Sequence, residues 1–295
     1  MTENDFTLQD RLGVIRDAIK KFGEENFYIS FSGGKDSTIL SKLVDMAVPG
    51  NRIPRVFFDT GIEYNAIREF VSRQPNVVVI KPTQAIKPML EKYGYPFKSK
   101  EHSHLLMTYQ NSGFGKSVMK YLGSETSNRQ LTCPLVLRYQ FSDSFKIKVS
   151  DKCCYKMKKE VAHRYEKESG RSIPILGIRM GEGGERASHE GCAVLDSEGR
   201  LRKFKPLNPV SDEWEDWFVK TYNVELCELY YPPYNFKRTG CKGCPYSLDL
   251  EHQLEVMARL MPNERKQCEI IWKPVYDEYR RLGYRLKTTE QVKLF

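Results

Sequence analysis

The stretch Phe31-Ser-Gly-Gly-Lys-Asp-Ser37 constrains this chain more than any other. The run before it, Phe27-Tyr-Ile-Ser-Phe31, is apolar and aromatic and reads as a buried strand. After it, Ile39, Leu40, Leu43, Val44 and Met46 recur at helical spacing. The stretch is therefore predicted to be a strand-to-helix turn with two adjacent glycines. Glycine allows close approach of a ligand to the backbone and conformations barred to other residues. The following helix offers unpaired N–H groups and a positive dipole end, and Lys35 adds a full charge. Such a turn suits an anion of the phosphate or sulfate type. It is neither Gly-x-x-x-x-Gly-Lys-Ser/Thr nor Gly-x-Gly-x-x-Gly.

The flanking pattern extends this reading. Leu8, Leu12, Ile15, Ile19 and Phe22 predict an amphipathic helix over residues 7–22. Pro49-Gly-Asn51 breaks the chain, and Arg55-Val-Phe-Phe58 is a second strand ending in Asp59-Thr-Gly61. Strand, helix and strand in this order favour a parallel sheet with right-handed crossovers. Ligands of such sheets sit at the carboxyl ends of the strands, where both turns lie. A helix over residues 64–72 and a strand over 77–80 follow.

From 81 to 150 the pattern assigns little beyond loops at Tyr93-Gly-Tyr-Pro96 and Asn111-Ser-Gly-Phe-Gly115, around which a substrate lid is an open reading. His102 and His104 have a spacing that could serve a metal, with Glu101 the one other ligand type nearby. Asp151 reads as the N-cap of a helix carrying Cys153 and Cys154. A strand over 174–178 ends in Arg179 and a loop, Gly181-Glu-Gly-Gly-Glu185-Arg186. Phe204 to Val210 is an extended connector, and a helix with acidic residues near its start follows Ser211. Its Trp214 and Trp217 read as packing residues.

Composition narrows the class. The chain has 295 residues, enough for a full core, and no apolar run long enough for a membrane helix. Its start lacks the basic and apolar regions of a signal peptide, so the expected location is cytoplasmic, without membrane association. Eight cysteines in such a chain point to metal or thiol chemistry rather than to disulfides. The net charge of +9 fits anionic substrates or a nucleic-acid partner, and equally a solvated basic surface.

Ser32-Gly-Gly-Lys-Asp-Ser37 resembles the PP-loop, Ser-Gly-Gly-x-Asp-Ser, of the adenine nucleotide α-hydrolases, which include ATP pyrophosphatases and the PAPS and APS reductases. Phe57-Phe-Asp-Thr-Gly61 is similar to a second feature of those reductases, as is the Pro-Leu connector before a Trp-bearing helix. The resemblance covers roughly residues 25–250. It implies that Ser32, Gly33, Gly34, Lys35, Asp36 and Ser37 hold the anionic end of an adenine nucleotide, with Asp59 and Gly61 beside it. Arg179 and Arg186 occupy positions comparable to two arginines that face the nucleotide in that family. Guanidinium forks suit phosphate and sulfate oxygens, although an ordinary surface ion pair is the plainer role. Asp36 would help to place magnesium if ATP is the ligand.

Cys153-Cys154 followed at a distance by Cys241-Lys-Gly-Cys244 resembles the pattern with which APS-type reductases hold a 4Fe–4S cluster. A PP-loop enzyme of DNA phosphorothioation also combines nucleotide loop and cluster. Four thiolates can enclose a cubane. Zinc is the rival, but adjacent ligands fit its usual spacing badly. Cys133, Cys192, Cys227 and Cys268 lack such partnership, with Cys133 an open substitute for one ligand. The family's catalytic cysteine in a C-terminal Glu-Cys-Gly tail has no counterpart after Cys268 in this sequence.

The expected fold is α/β, with a mainly parallel twisted sheet flanked by helices and a C-terminal helical segment bearing Cys-x-x-Cys. The expected domains are a PP-loop domain, 1–225, and the C-terminal segment, 226–295, folding back so that its thiols meet Cys153 and Cys154. Three functional readings stand open. One is a PAPS reductase-family enzyme of sulfur metabolism, acting on PAPS or APS with a thiol or sulfur donor protein or with Cys268. Another is an AMP-forming ATP pyrophosphatase that activates a tRNA or DNA acceptor for thiolation, served by Lys146, Lys148, Lys152, Lys156, Lys158 and Lys159 or not. The third is a nucleotide-binding module without chemistry. No catalytic residue is assigned.

Overall fold

The strands that carry the site are short and almost wholly apolar, as buried parallel strands are. β1 (Phe27–Ser30), β2 (Arg55–Phe58) and β3 (Val77–Ile80) alternate with α2 (Lys35–Ala47) and α3 (Asn65–Ser72) in a computed structural model that describes residues 2–123, 132–180 and 191–288. After α8 (Glu160–Ser169) come β4 (Ile173–Ile175), β5 (Ala193–Leu195), β6 (Leu201–Phe204) and α9 (Asp212–Thr221). The six described strands form one sheet in the order β3-β2-β1-β4-β6-β5. Every neighbouring pair is parallel except β5 and β6, so the expected mainly parallel α/β sheet is the observed fold.

The strand order reverses between β1 and β4. Phe27, Tyr28 and Ile29 pair with Ile173, Pro174 and Ile175 on one side, while Ile29 and Ser30 pair with Arg55 and Val56 on the other. In open parallel sheets, a crevice forms above the carboxyl ends at such a reversal.

The chain divides into two units. The first comprises 1–59, 63–81 and 161–240 and holds the sheet. The second comprises 60–62, 82–160 and 241–295. The expected boundary between 225 and 226 was a cut through a continuous chain, whereas these units interleave. A linear pattern does not register that 82–160 and 241–295 fold together.

In the first unit, α1 (Glu3–Phe22) begins earlier than its apolar periodicity suggests, because Thr2 and Asp5 form a reciprocal capping box. Its buried Leu8, Leu12, Ile15 and Ile19 and the buried Ile39, Leu40, Leu43 and Val44 of α2 supply much of the core of this unit. Buried Arg55 of β2 donates to Ser41 Oγ at 2.6 Å and pairs with Asp45, so two side chains of α2 satisfy a charged group inside the core.

The second unit is helical among its described residues. α4 (Ile86–Tyr93), α5 (Lys100–Ser112), α6 (Lys116–Leu122) and α7 (Lys152–Cys154) are followed by a π-helical turn, Tyr155–Lys159. α10 (Leu250–Leu260), α11 (Pro262–Ile271) and α12 (Lys273–Leu282) complete it. α5 and α6 cover much of the stretch that the sequence pattern left as loop. Polar residues such as Lys100, Glu101, His102 and Ser103 dilute the apolar period there.

His102 shows why that period is diluted. It is fully buried, with Nδ1 3.0 Å from Tyr121 Oη and Nε2 2.8 Å from Gln140 Oε1. Both ring nitrogens have protein partners, and His104 is exposed against Asp151, so the two do not share a metal. Burial pushes the His102 pKa down to about 4. The folded protein then keeps a neutral imidazole at a pH where the unfolded chain, titrating near 6.5, takes up a proton. Stability supplied by His102 is complete above pH 6.5 and is lost as pH falls towards 4, by up to about 3 kcal/mol. Urea titrations between pH 7.5 and 4 should show this decline in the wild type and a shallower one in His102→Gln. Equal slopes would place the acid sensitivity elsewhere.

Candidate functional site

The strand-to-helix turn after β1 has the expected form. Gly33 takes a φ of 70°, in the left-handed region, and a Cβ there would lie 2.9 Å from a Val71 methyl. The Ser37 hydroxyl ties the turn together: it donates to Gly34 O at 2.9 Å, accepts from Ser32 N at 3.2 Å and lies 3.1 Å from Ser32 Oγ. Gly34 occupies the N-cap position of α2 and brings no side-chain cap. A serine or aspartate there would fill the space above the helix end, which is where an anion would sit.

One N–H of this turn has a partner that the sequence did not reveal. Lys35 N donates to Tyr230 Oη at 2.9 Å, and Tyr230 Oη lies 2.7 Å from Thr239 Oγ1. Gly177, just past β4, is a second such residue. A Cβ on it would meet the Asp36 carbonyl carbon and oxygen at 3.0 Å and Ser37 N at 3.1 Å. Only a residue without a side chain lets this loop pass so close to the first turn of α2.

Arg179 follows and is nearly buried. Its Nη2 lies 2.6 Å from Asp212 Oδ1, and its Nε lies 3.2 Å from Glu215 Oε1 and 3.5 Å from Asp36 Oδ1. Lys35 Nζ lies 2.7 Å from Asp216 Oδ1 and 3.5 Å from Glu215 Oε2. The two cations therefore share one carboxylate. Burial opposes both charges, but the α9 carboxylates outweigh it and the pKa values of Lys35 and Arg179 are raised.

Glu215 is the residue that sequence reasoning missed. Its side chain is 0% exposed, and neither carboxylate oxygen has a hydrogen-bond partner beyond these ion pairs. Desolvation, reinforced by the Asp36 charge, pushes its pKa up to about 8 despite Arg179 and Lys35. The available signal was the spacing of Asp212, Glu215 and Asp216, which puts three acids on one helix face, with Ser211 Oγ capping the helix through Trp214 N at 3.2 Å.

Ser32 to Ser37 and Arg179 thus come together in the first unit. Asp59 belongs to the same unit and receives both Nε and Nη2 of Arg68, at 3.1 and 2.8 Å. Gly61, with a φ of 88°, belongs to the second unit. Arg186 lies outside the described residues.

The second unit gathers Cys153, Cys154, Cys241 and Cys244. Burial and the charges of the other three thiols raise the Cys153 pKa, and burial with Cys241 and Cys154 raises that of Cys244, while Lys158 lowers both. The Cys-x-x-Cys turn is anchored by its own carbonyls. Trp272 Nε1 donates to Lys242 O at 3.2 Å, Tyr276 Oη donates to Gly243 O, and Tyr279 Oη donates to Pro245 O at 2.9 Å. Buried Lys242 pairs with Glu264 Oε2 at 2.9 Å. Among the described residues no group of three or more His, Cys, Asp or Glu side chains forms a ready metal cage. Cys153 is buried and Cys154, Cys241 and Cys244 are half-buried, and the Cys153 and Cys244 thiols each feel the charges of their sulfur neighbours. Asp151 holds the expected N-cap position but gives no side-chain cap: its carboxylate turns to His104 at 3.2 Å, and Ser150 Oγ accepts from Lys152 N at 3.0 Å instead.

The remaining thiols are quiet. Cys268 is fully buried in α11 and its pKa is pushed up to about 12 by desolvation, so basic neighbours do not activate it. Burial likewise raises Cys133, to about 11, and Cys227.

No family model matches the sequence, and no curated protein matches it. Among solved structures, the chain is similar to phosphoadenylyl-sulfate reductase from Candida auris in a phosphate complex, at 16% identity over 82% of this chain and 96% of that one, with a TM-score of 0.47. It is also similar to NH3-dependent NAD synthetase from Campylobacter jejuni, at 14% identity over 93% and 96% of the two chains, with a TM-score of 0.41. A third similar structure is the U34-tRNA thiolase NcsA from Methanococcus maripaludis with its 4Fe–4S cluster, at 13% identity over 97% and 85%, with a TM-score of 0.39.

The close approach of Gly177 gives a direct test of the turn geometry. Gly177→Ala forces the β4 loop from the first turn of α2 and should weaken binding of inorganic pyrophosphate about tenfold. Isothermal titration measures it, and an unchanged affinity would show that the turn does not set the site.

Proposed function

We propose that the chain is a PP-loop enzyme of sulfur metabolism that holds the anionic end of an adenine nucleotide over Ser32–Ser37, between Lys35 and Arg179. The observation that supports this most directly is the convergence of Lys35, Arg179 and the start of α2 at the β1/β4 reversal. Two cations on separate elements, meeting over an uncapped helix end, suit phosphate or sulfonate oxygens. In this reading Ser32, Gly33, Gly34 and Ser37 shape the turn, and Asp36 is poised beside Arg179 to help place magnesium when ATP is the ligand. Asp59, held by Arg68, flanks the nucleotide, and Arg186 supplies further positive charge.

Cys153, Cys154, Cys241 and Cys244 would hold a 4Fe–4S cluster. Such a cluster supplies electron transfer or a sulfur-binding iron. The chain's contribution is to bury Cys153, to fix the Cys241–Cys244 turn through Trp272, Tyr276 and Tyr279, and to bring Lys158 near the thiolates.

The substrate reading follows the PAPS reductases: the nucleotide is PAPS or APS, and a thiol or sulfur donor protein supplies the attacking sulfur. The state of the thiols favours keeping a second reading beside it. With Cys268 buried and pushed up to about 12, the thiol nearest the chain's end is no nucleophile. In that second reading an acceptor oxygen on tRNA or DNA attacks the α-phosphorus of ATP. The bond between the α-phosphorus and its bridging oxygen breaks and pyrophosphate leaves against Lys35; a thiol or sulfur donor then attacks the activated acceptor and displaces AMP, which carries away the acceptor oxygen.

Product analysis on anaerobically purified protein decides between them. Sulfite from PAPS or APS with added thiol supports the first, and AMP with pyrophosphate from ATP supports the second. Lys35→Ala should weaken either nucleotide at least about tenfold, the loss of a charge-assisted contact. Unaltered binding would remove the loop from the mechanism. Iron and acid-labile sulfide should accompany the wild type and fall in Cys241→Ser, whereas stoichiometric zinc without iron would overturn the cluster assignment.

A further inference from the structure

Both cations of the proposed anion site are already neutralised from within. Asp212 lies on Arg179 at 2.6 Å and Asp216 on Lys35 at 2.7 Å, while Glu215 touches both from beneath. The layers differ in exposure. The Asp212 and Asp216 side chains are 76% and 63% exposed, and that of Glu215 is 0% exposed. Residues 212, 215 and 216 share one face of α9, so one helix delivers a fixed floor and two solvent-facing carboxylates.

We propose that Asp212 and Asp216 are internal stand-ins for the ligand's anionic groups, displaced when the polyphosphate or sulfonate end of a nucleotide settles on Lys35 and Arg179. This rests on the reading that these two cations bind that end. An exposed ion pair exchanges at little cost, because water solvates the released carboxylate. Glu215 is fully buried and touches both cations, so it stays in place and keeps Lys35 and Arg179 aimed at the ligand. Asp36, the other carboxylate facing Glu215, adds to the negative charge that an incoming anion meets. A weakly charged anion gains little by replacing a carboxylate of equal charge. A multiply charged phosphate chain gains on both cations at once. The two aspartates therefore select for highly charged ligands and lower the affinity for every anion.

Isothermal titration with inorganic pyrophosphate tests this on the full chain. The double variant Asp212→Asn, Asp216→Asn should bind about tenfold more tightly, and either single variant about threefold. Asp216→Glu, which keeps the charge, should return the affinity to near the wild-type value. The gain from Asp216→Asn should vanish in a Lys35→Ala background, where its cation is gone. If the aspartates serve only to stabilise the first turn of α9, the asparagine variants melt lower with unchanged affinity, and the proposal is overturned. An Asp216→Asn gain that persists without Lys35 reflects general surface charge and also overturns it. If neither wild type nor double variant binds pyrophosphate, the nucleotide-site reading itself falls, and this proposal with it. Should the double variant not fold, the single variants carry the same decision.

Discussion

The parallel pairing of β1 with β4 is the constraint on which the sheet-bearing unit of the structure depends. These strands are distant in sequence, and their register sets the end of one beside the end of the other. The turn after β1 therefore starts α2 where the chain leaving β4 passes with Gly177 and Arg179. Gly177 is the steric counterpart of that pairing, since a Cβ would strike the Asp36 backbone at 3.0 Å. A positive helix end, an ammonium and a guanidinium meet because the sheet reverses its strand order there, and not because their residues are near in the chain.

Bringing positive groups together in a partly buried place has an electrostatic cost, and the structure meets it with carboxylates from a third element. Burial works against the charged forms of Lys35 and Arg179, and Glu215, Asp212 and Asp216 reverse the balance. Glu215 bears the opposite strain, a carboxyl whose pKa rises to about 8 because its surroundings are dry and Asp36 is close. Its ion pairs are better understood as positioning than as net stability, since the desolvation of a buried pair commonly offsets its attraction.

How much of this could be read from the sequence depends on how local each feature is. The Ser32–Ser37 turn, the strands β1 to β3, and α3 and α9 follow from short-range patterns, and the mainly parallel sheet follows from their alternation. Arg179 was legible through the resemblance, which places an arginine after that strand. Tyr230, Gly177 and Glu215 were not, because their roles exist only through contacts across the fold: a hydroxyl on Lys35 N, a missing Cβ against Asp36, a carboxylate between two cations. α1 began early because a capping box outweighs the absence of apolar period in its first turn. α5 was obscured because its buried face includes His102 and Ser103, polar residues satisfied by Tyr121, Gln140 and the backbone of Phe97. The interleaving of the two units has no local trace at all.

The thiols carry the argument about chemistry furthest. A cysteine acts as nucleophile through its thiolate, which needs a lowered pKa and access. Cys133, Cys153, Cys227, Cys244 and Cys268 are all shifted the other way, with desolvation the leading cause for each. For Cys153 and Cys244 the neighbouring sulfurs add to desolvation in raising the pKa. Cys268 sits in the packing of α11, where a Cβ on Gly243 would meet its sulfur at 2.7 Å. Burial that deep serves the shape of the Cys241–Cys244 turn rather than attack on a substrate.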